Sequence, residues 1–375
     1  GRQAALSWLT AGAAVADIPA AHGANHFYDP DTRKGWQSPS RGVINGITDK
    51  VREAIGRADL PERGVAAPDW VVAKNNPFNV EAFYDQYAKA VSAKTPGERS
   101  RHMAAALVAA GAILHVLGDL GSPSRVRGDE LAHLEPLGAG PDDLGSRFER
   151  IAALAHGRLG VPAPSRTIER LHVREFFSSK DGGGLADLIA RSYFSTNTLP
   201  GDSRVGGDNR PPLARPTPAL PSRLNLMAAS RDDGTTFRNA NGTCLARYRV
   251  EHGVLSFWMD DECMLEQVSA ILPEVAAYEA GLLDFLLRGE LTIQIGSSIV
   301  VSGKELGAGT VEILVEDARG VRTSLGTAPT QGAVESTALA NVGTPSSGTK
   351  VLAVFRGVDR NGEPMVATGA MPLSQ

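Results

Sequence analysis

Cysteine is nearly missing from this sequence: its 375 residues contain two, Cys244 and Cys263, with no CxxC pair. A zinc site built on thiolates is therefore excluded. A surplus of positive charge is missing too. The chain carries 38 Lys and Arg against 42 Asp and Glu, a formal net charge of −4, and its pI is near 6.1. A protein that coats nucleic acid needs the opposite balance, so no stable nucleic-acid complex is expected. No uncharged apolar run reaches the ~18 residues of a membrane span. The longest, residues 103–114, is bounded by Arg101 and His115, so no transmembrane segment is expected. GxSxG, a P-loop and a GxGxxG leading into a helix are all lacking, which removes the elbow-type serine hydrolases and the common nucleotide-binding loops.

What is present is ordinary globular composition, 42% hydrophobic and 21% charged, at a length that suggests two or three domains. The two cysteines bracket residues 247–259, which read as two short strands turning at His252-Gly253. A hairpin brings its ends together, so a disulfide, with the oxidising compartment it needs, stands beside the alternative of two buried free thiols. The chain begins at Gly1, and residues 3–16 resemble a signal h-region ending in Ala14-Val-Ala16. Against that reading, Asp17 and His26 just beyond look like site residues. A processed protein is expected, secreted, periplasmic or at the cell surface.

Residues 1–290 carry helical patterning. Asn79 caps an apolar-periodic stretch at 79–91, and the Ala- and Leu-rich run from Pro96 to Leu120 suits a buried helix of about six turns. Further helices are expected at 43–58, 143–158, 166–177, 184–194 and 261–288, where Pro273 either kinks the last or marks its true first turn. Between 199 and 222, prolines at 200, 211, 212, 216, 218 and 221 forbid a regular element. That segment reads as a flexible excursion, a surface loop or a processing site. After Gly289 the pattern turns to strands, among them Leu291-Thr-Ile-Gln-Ile and Lys350-Val-Leu-Ala-Val-Phe-Arg, with Asp359-Arg-Asn-Gly362 as a turn. Residues 291–375 thus fit a small all-β immunoglobulin-like sandwich of about seven strands. It holds no His and no Cys, so binding, spacing, or surface and self-assembly contacts are its expected work.

The informative stretch is His115-Val-Leu-Gly-Asp119. His and Asp four apart share one helix face and can reach one metal. A polar pair satisfying itself in an apolar core gives the same pattern. Upstream, Asp17 and His26-Phe-Tyr-Asp-Pro30 offer two more ligands, and two carboxylates with two imidazoles form a sound zinc set. His22, four before His26, is an alternative ligand, whereas His102 lies about 220° round an ideal helix from His115.

Taken with Arg147-Phe-Glu149, Phe176-Phe-Ser, Phe194-Ser-Thr-Asn-Thr198 and Ala280-Gly-Leu-Leu-Asp284, these residues resemble the zinc-dependent phospholipase C family, whose fold includes single-strand nucleases. The resemblance covers most of 1–290. It implies a mainly α, multi-helix phospholipase C-like domain ahead of the β-sandwich, up to three zinc ions, and hydrolysis of a phospholipid or other phosphodiester. It also implies a first zinc site of Asp17, His26, His115 and Asp119, with Asp119 able to bridge to a neighbour.

The departures are specific. Where the family pattern places a second-site His after Pro123, this chain has Arg125. Where it places another four before the Glu, the chain has Gly145, so Glu149 alone survives. The family's N-terminal Trp and its nearby His have no counterpart ahead of Asp17. Asp129 and His133, four apart, could join Glu149 in a displaced second site, or the stretch 125–130 could be a charged surface turn with His133 exposed. A third reading gives Arg125 the phosphate oxygens and part of the lost metal charge. Asp17 would then accept a proton and Arg125 stabilise the developing charge. The competing reading is a catalytically degenerate scaffold with a structural or adhesive role at the cell surface.

Overall fold

The computed structural model describes residues 2–38, 61–137, 144–155, 157–160, 164, 166–200, 218, 223–330, 336–339 and 348–373. The helix expected at 43–58 and nearly all of the segment 199–222 lie outside them. In chain order the helices are α1 (Arg2–Val15), α2 (Ala67–Trp70), α3 (Val80–Ser92), α4 (Pro96–Asp119), α5 (Arg147–Ala155), α6 (Val173–Phe177), α7 (Leu185–Ser192), α8 (Arg223–Ala229) and α9 (Asp261–Leu286).

Helix α4 is the axis of the helical body. It starts on a capping box, Thr95 with Glu98, and buries Ala106, Ala109, Ala110, Ile113, Val116 and Leu117. Its length and apolarity would suffice to cross a membrane, yet it packs here between α1, α3 and α9. Contact with α1 depends on two glycines. A Cβ on Gly12 would strike the Val108 carbonyl, and one on Gly111 the Leu9 carbonyl, so the two backbones touch directly. The stretch read as an h-region is therefore α1, laid along α4 and ending next to Asp17.

Several boundaries differ from those expected. The helix placed at 166–177 begins only at Val173, because Glu175 folds back to accept from the backbone N–H groups of Leu171 and His172. Ahead of it, Ile168 is buried with its carbonyl against Gly281 of α9. The helix placed at 143–158 is α5, preceded by a short pair of strands, β1 (Glu135–Pro136) and β2 (Leu144–Gly145). Helix α9 runs through Pro273, which is therefore not its first turn. The Cys-bracketed hairpin is β4 (Cys244–Glu251) and β5 (Val254–Trp258), joined at His252-Gly253, both at positive φ. A strand the sequence did not announce, β3 (Thr235–Arg238), adds to its edge. Cys244 and Cys263 form a disulfide that ties β4 to the first turn of α9.

The helical region ends at Leu286 and the β region follows as β6 (Leu291–Ile295), β7 (Ile299–Gly303), β8 (Leu306–Glu316), β9 (Arg322–Thr330), β10 (Ser336–Leu339), β11 (Lys350–Asp359) and β12 (Pro364–Pro372). They make two antiparallel sheets, ordered β10-β7-β6 and β12-β11-β8-β9. Strand β11 explains its unbroken apolar run. Val351, Ala353 and Phe355 face the core between the sheets, while Leu352 and Val354 face the helical body. Both faces being covered, alternation disappears.

Candidate metal centre

Three segments deliver the four expected donors. Helix α1 ends two residues before Asp17. The 3-10 turn Ala20–Asn25 delivers His26, and Asn25 anchors that turn by accepting from Val65 N at 2.7 Å. The Tyr28 N–H donates to the Arg125 carbonyl at 3.0 Å, tying this segment to the chain just beyond α4. His115 and Asp119 are one turn apart at the end of α4.

These side chains converge. His26 Nδ1 lies 2.8 Å from Asp119 Oδ2 and 3.3 Å from Asp17 Oδ1. His115 Nε2 lies 3.1 Å from Asp17 Oδ2 and 3.5 Å from Asp119 Oδ2. One ligand atom from each residue falls within 4.8 Å of all the others, and this is the group of that kind found among the described residues. Donors held at the ~2.1 Å of zinc–nitrogen and zinc–oxygen bonds stand roughly 3.4 Å apart on a tetrahedron. The observed spacings straddle that figure. The donor chemistry also suits a divalent ion: two carboxylates crowd together with two imidazoles at one point. The residues present fit a metal ion.

The charges respond to one another. For Asp17, burial works to raise the carboxyl pKa, but the His115 hydrogen bond and both imidazoles win and hold it below the usual range. His115 is buried, which favours its neutral form, yet Asp17 and Asp119 raise its pKa overall. Asp119 is more deeply buried still, and the Arg125 guanidinium and the two imidazoles hold it strongly ionised.

The remaining expected residues do other work. Arg125 points its Nε at Glu149 Oε1, 2.7 Å, and Nη2 at Oε2, 3.3 Å, with Nη1 3.2 Å from Asp119 Oδ2. His133 is buried rather than exposed. Its Nε2 meets Ser124 Oγ at 2.8 Å, and its Nδ1 stands 3.9 Å from Glu149. Burial, with Arg125 nearby, pulls its pKa down to about 4. Asp129 turns away: it caps the 3-10 turn Glu130–His133 through Ala132 N and accepts from Asn197 N and Nδ2 at 3.0 and 2.9 Å. Asp129, His133 and Glu149 thus do not converge on one point. The surface-turn alternative fails as well, since Ser124, Val126, Arg127 and Asp129 are all buried. A buried loop must satisfy its polar groups internally, and these side chains do so.

Of the other histidines, His22 stacks edge-on to Trp70 and His102 meets Gln86. Sequence reasoning missed Glu279. Its Oε1 lies 2.6 Å from where a Cβ on Gly118 would be, so the carboxylate rests against the α4 backbone between His115 and Asp119. Burial, aided by Asp119 and opposed by His115, pushes its pKa up to about 7. It is one of three carboxylates in the run 271–287, with Glu274 and Asp284, so nothing in the sequence singled it out.

No family model matches this sequence, and no curated protein matches it either. Among solved structures, the alpha toxin from Clostridium absonum is similar over 98% of this chain and 82% of its own, with 15% identity and a TM-score of 0.34. The alpha-toxin of Clostridium perfringens from an avian strain is similar over 94% and 82%, with 9% identity and a TM-score of 0.28. Likeness at this level does not establish a shared fold, and the site stands on its own geometry.

Proposed function

We propose that the protein is an exported, zinc-dependent phosphodiester hydrolase of phospholipase C type, acting on a phospholipid head group or related diester. The observation that carries this reading is the convergence of Asp17, His26, His115 and Asp119 from three separate segments onto one point. The disulfide supports export. The split into three and four strands, in the orders seen, supports an immunoglobulin-like reading of residues 291–375 and a binding or spacing role for them.

The four residues would hold the ion, and zinc there would supply Lewis acidity, polarising a phosphoryl oxygen and making water acidic near neutrality. His26 and His115 serve as neutral nitrogen donors, and Asp119 is held ionised to share the charge. Asp17 is the most solvent-exposed of the set, its side chain 48% exposed, and so is placed to take a proton from water. Arg125 Nη1 is buried and among the described residues makes no hydrogen bond. It stands 3.2 Å from Asp119 Oδ2 and is closed to solvent, so Arg125 offers the substrate its positive field and not a free donor.

The competing reading, a degenerate scaffold at the cell surface, draws support from one observation: both Glu149 oxygens are closed by the Arg125 fork. Two measurements decide between them. Purified protein is assayed for bound zinc and for hydrolysis of bis(p-nitrophenyl) phosphate and phosphatidylcholine vesicles with zinc added. Retained zinc, with hydrolysis that His115→Ala abolishes while the melting temperature of the zinc-free protein stays unchanged, supports the enzyme. Absence of both zinc and hydrolysis defeats it.

A further inference from the structure

We propose that this centre takes a single divalent cation, and that the Arg125 guanidinium is a permanent second cation filling the place where another ion would sit. The inference rests on the metal reading above and adds its stoichiometry and the residue that sets it.

Beside the four donors stands a second group with ion-binding chemistry: Asp119 at its edge, the Glu149 carboxylate and the His133 imidazole. The guanidinium lies among them. Its Nε and Nη2 take both oxygens of Glu149, and its Nη1 reaches to 3.2 Å from Asp119 Oδ2. Its Cζ sits 4.9 Å from the centre of the Phe27 ring, which also meets His133 edge-on at 4.7 Å. His133 Nε2 is already occupied by the Ser124 hydroxyl. Both Glu149 oxygens and His133 Nε2 are therefore already engaged, while His133 Nδ1 stands 3.9 Å from Glu149. A divalent ion claiming Glu149 and Asp119 would have to expel a buried side chain that cannot lose its proton.

The charge count agrees. Asp17, Asp119 and Glu149 bring three negative charges and Arg125 one positive, with imidazoles taken as neutral donors. One divalent ion neutralises the remainder. Two would leave an excess of positive charge beside the guanidinium, which disfavours the second ion. A fixed guanidinium gives the field of a second cation without depending on metal supply, and it holds a planar fork rather than an exchangeable coordination shell.

The test is zinc stoichiometry at equilibrium dialysis, read by elemental analysis and native mass spectrometry on the full chain. One equivalent is expected for the wild type and for Glu149→Gln, since Glu149 pairs with Arg125 rather than with an ion. Arg125→His should bind a second equivalent, because an imidazole then replaces the cation between Asp119 and Glu149. Circular dichroism checks that each variant folds, and Arg125→Ser, which clears the same space, replaces Arg125→His if that variant does not. Two or more equivalents in the wild type would overturn the inference while leaving the metal reading intact. So would an Arg125 variant that folds yet stays at one, or loss of zinc from Glu149→Gln. Zero equivalents in the wild type would instead sink the metal reading itself.

Discussion

Two carboxylates in this molecule sit in charged clusters, Asp119 at the end of α4 and Glu316 at the end of β8, and the clusters are built on opposite plans. Around Glu316 there is one anion and several cations. Arg322 Nε donates to it at 2.7 Å, Lys350 Nζ lies 2.9 Å away, and Arg99 of α4 approaches to 3.6 Å. The arginines then spend their other N–H groups on carbonyls: Arg99 on Ala93, Lys94 and Gly320, Arg322 on Val91. That cluster is complete and pins the β region to the helical one. Around Asp119 the plan is reversed. A second carboxylate, Asp17, is brought close to the same imidazoles as Asp119. Crowding like charges does not serve stability alone, because each carboxylate disfavours the ionised form of the other. Incomplete electrostatics marks the cluster as a place for something else.

The largest effect should come from breaking each cluster in turn and watching zinc. Asp119→Asn removes a ligand, so phosphodiester hydrolysis should fall to background, more than the ~10–100-fold lost when an outer-shell partner of a metal is changed. Wild-type protein at a hundredfold excess of zinc over its dissociation constant should gain about 2.7 kcal/mol of stability, seen as a higher melting temperature, and Asp119→Asn should gain none. Glu316→Gln should do the opposite. It leaves Arg99, Arg322 and Lys350 without their anion and lowers the melting temperature, while its response to zinc matches the wild type. If zinc stabilised neither protein, the contrast between the clusters would disappear.

A smaller effect belongs to the border of the metal centre. The buried His133 imidazole has its pKa pulled down to about 4, against roughly 6.5 in an unfolded chain. Between those values the unfolded state binds the extra proton, so stability falls as pH drops from about 6.5 to about 4. The shift corresponds to a loss of about 3 kcal/mol across that window. His133→Gln keeps a polar group opposite Ser124 and removes the titration. Its denaturant midpoint should therefore be flatter than the wild type's over that range. An equal slope in both proteins would mean that the imidazole protonates in place.

How much of this could be read beforehand depends on whether the interaction was local. His115 and Asp119 lie on one helical turn, so their partnership was visible in the spacing, and the Asn79 cap and the His252-Gly253 turn were legible for the same reason. Asp17 and His26 could be named as further donors by residue type, but their convergence onto this pair came only from a family resemblance, since it depends on α1 lying against α4, a contact set by Gly12 and Gly111. Asp129 and His133 had the same four-residue spacing and misled, because tertiary partners, Asn197 and Ser124, claimed each of them. Glu279 stayed hidden because its neighbour in space, Gly118, is far away in the chain. The strand count of the β region was legible from alternation and turns. The order of strands within the two sheets, and the second buried face of β11, were not, because pairing partners come from distant segments.

The smallest predicted effect separates a structural ion pair from an incomplete one by its acid limb. For Glu316, burial works to raise the carboxyl pKa, but Lys350 and Arg322 outweigh it and hold the folded value below the ordinary one. A depressed carboxylate contributes stability that is fully present above the unfolded pKa of roughly 4.3 and is lost as pH falls through the lower folded value. Wild-type protein should therefore lose stability below pH ~4 more steeply than Glu316→Gln, and the two denaturant midpoints should converge in acid. Because its partner Lys350 is partly exposed, added salt should shrink the gap at neutral pH. Asp119→Asn offers the matching control. In zinc-free protein it removes one of two crowded carboxylates, so its loss of stability at neutral pH should be smaller than that of Glu316→Gln. A larger loss would mean that the Asp119 cluster, like that of Glu316, is satisfied by protein partners alone.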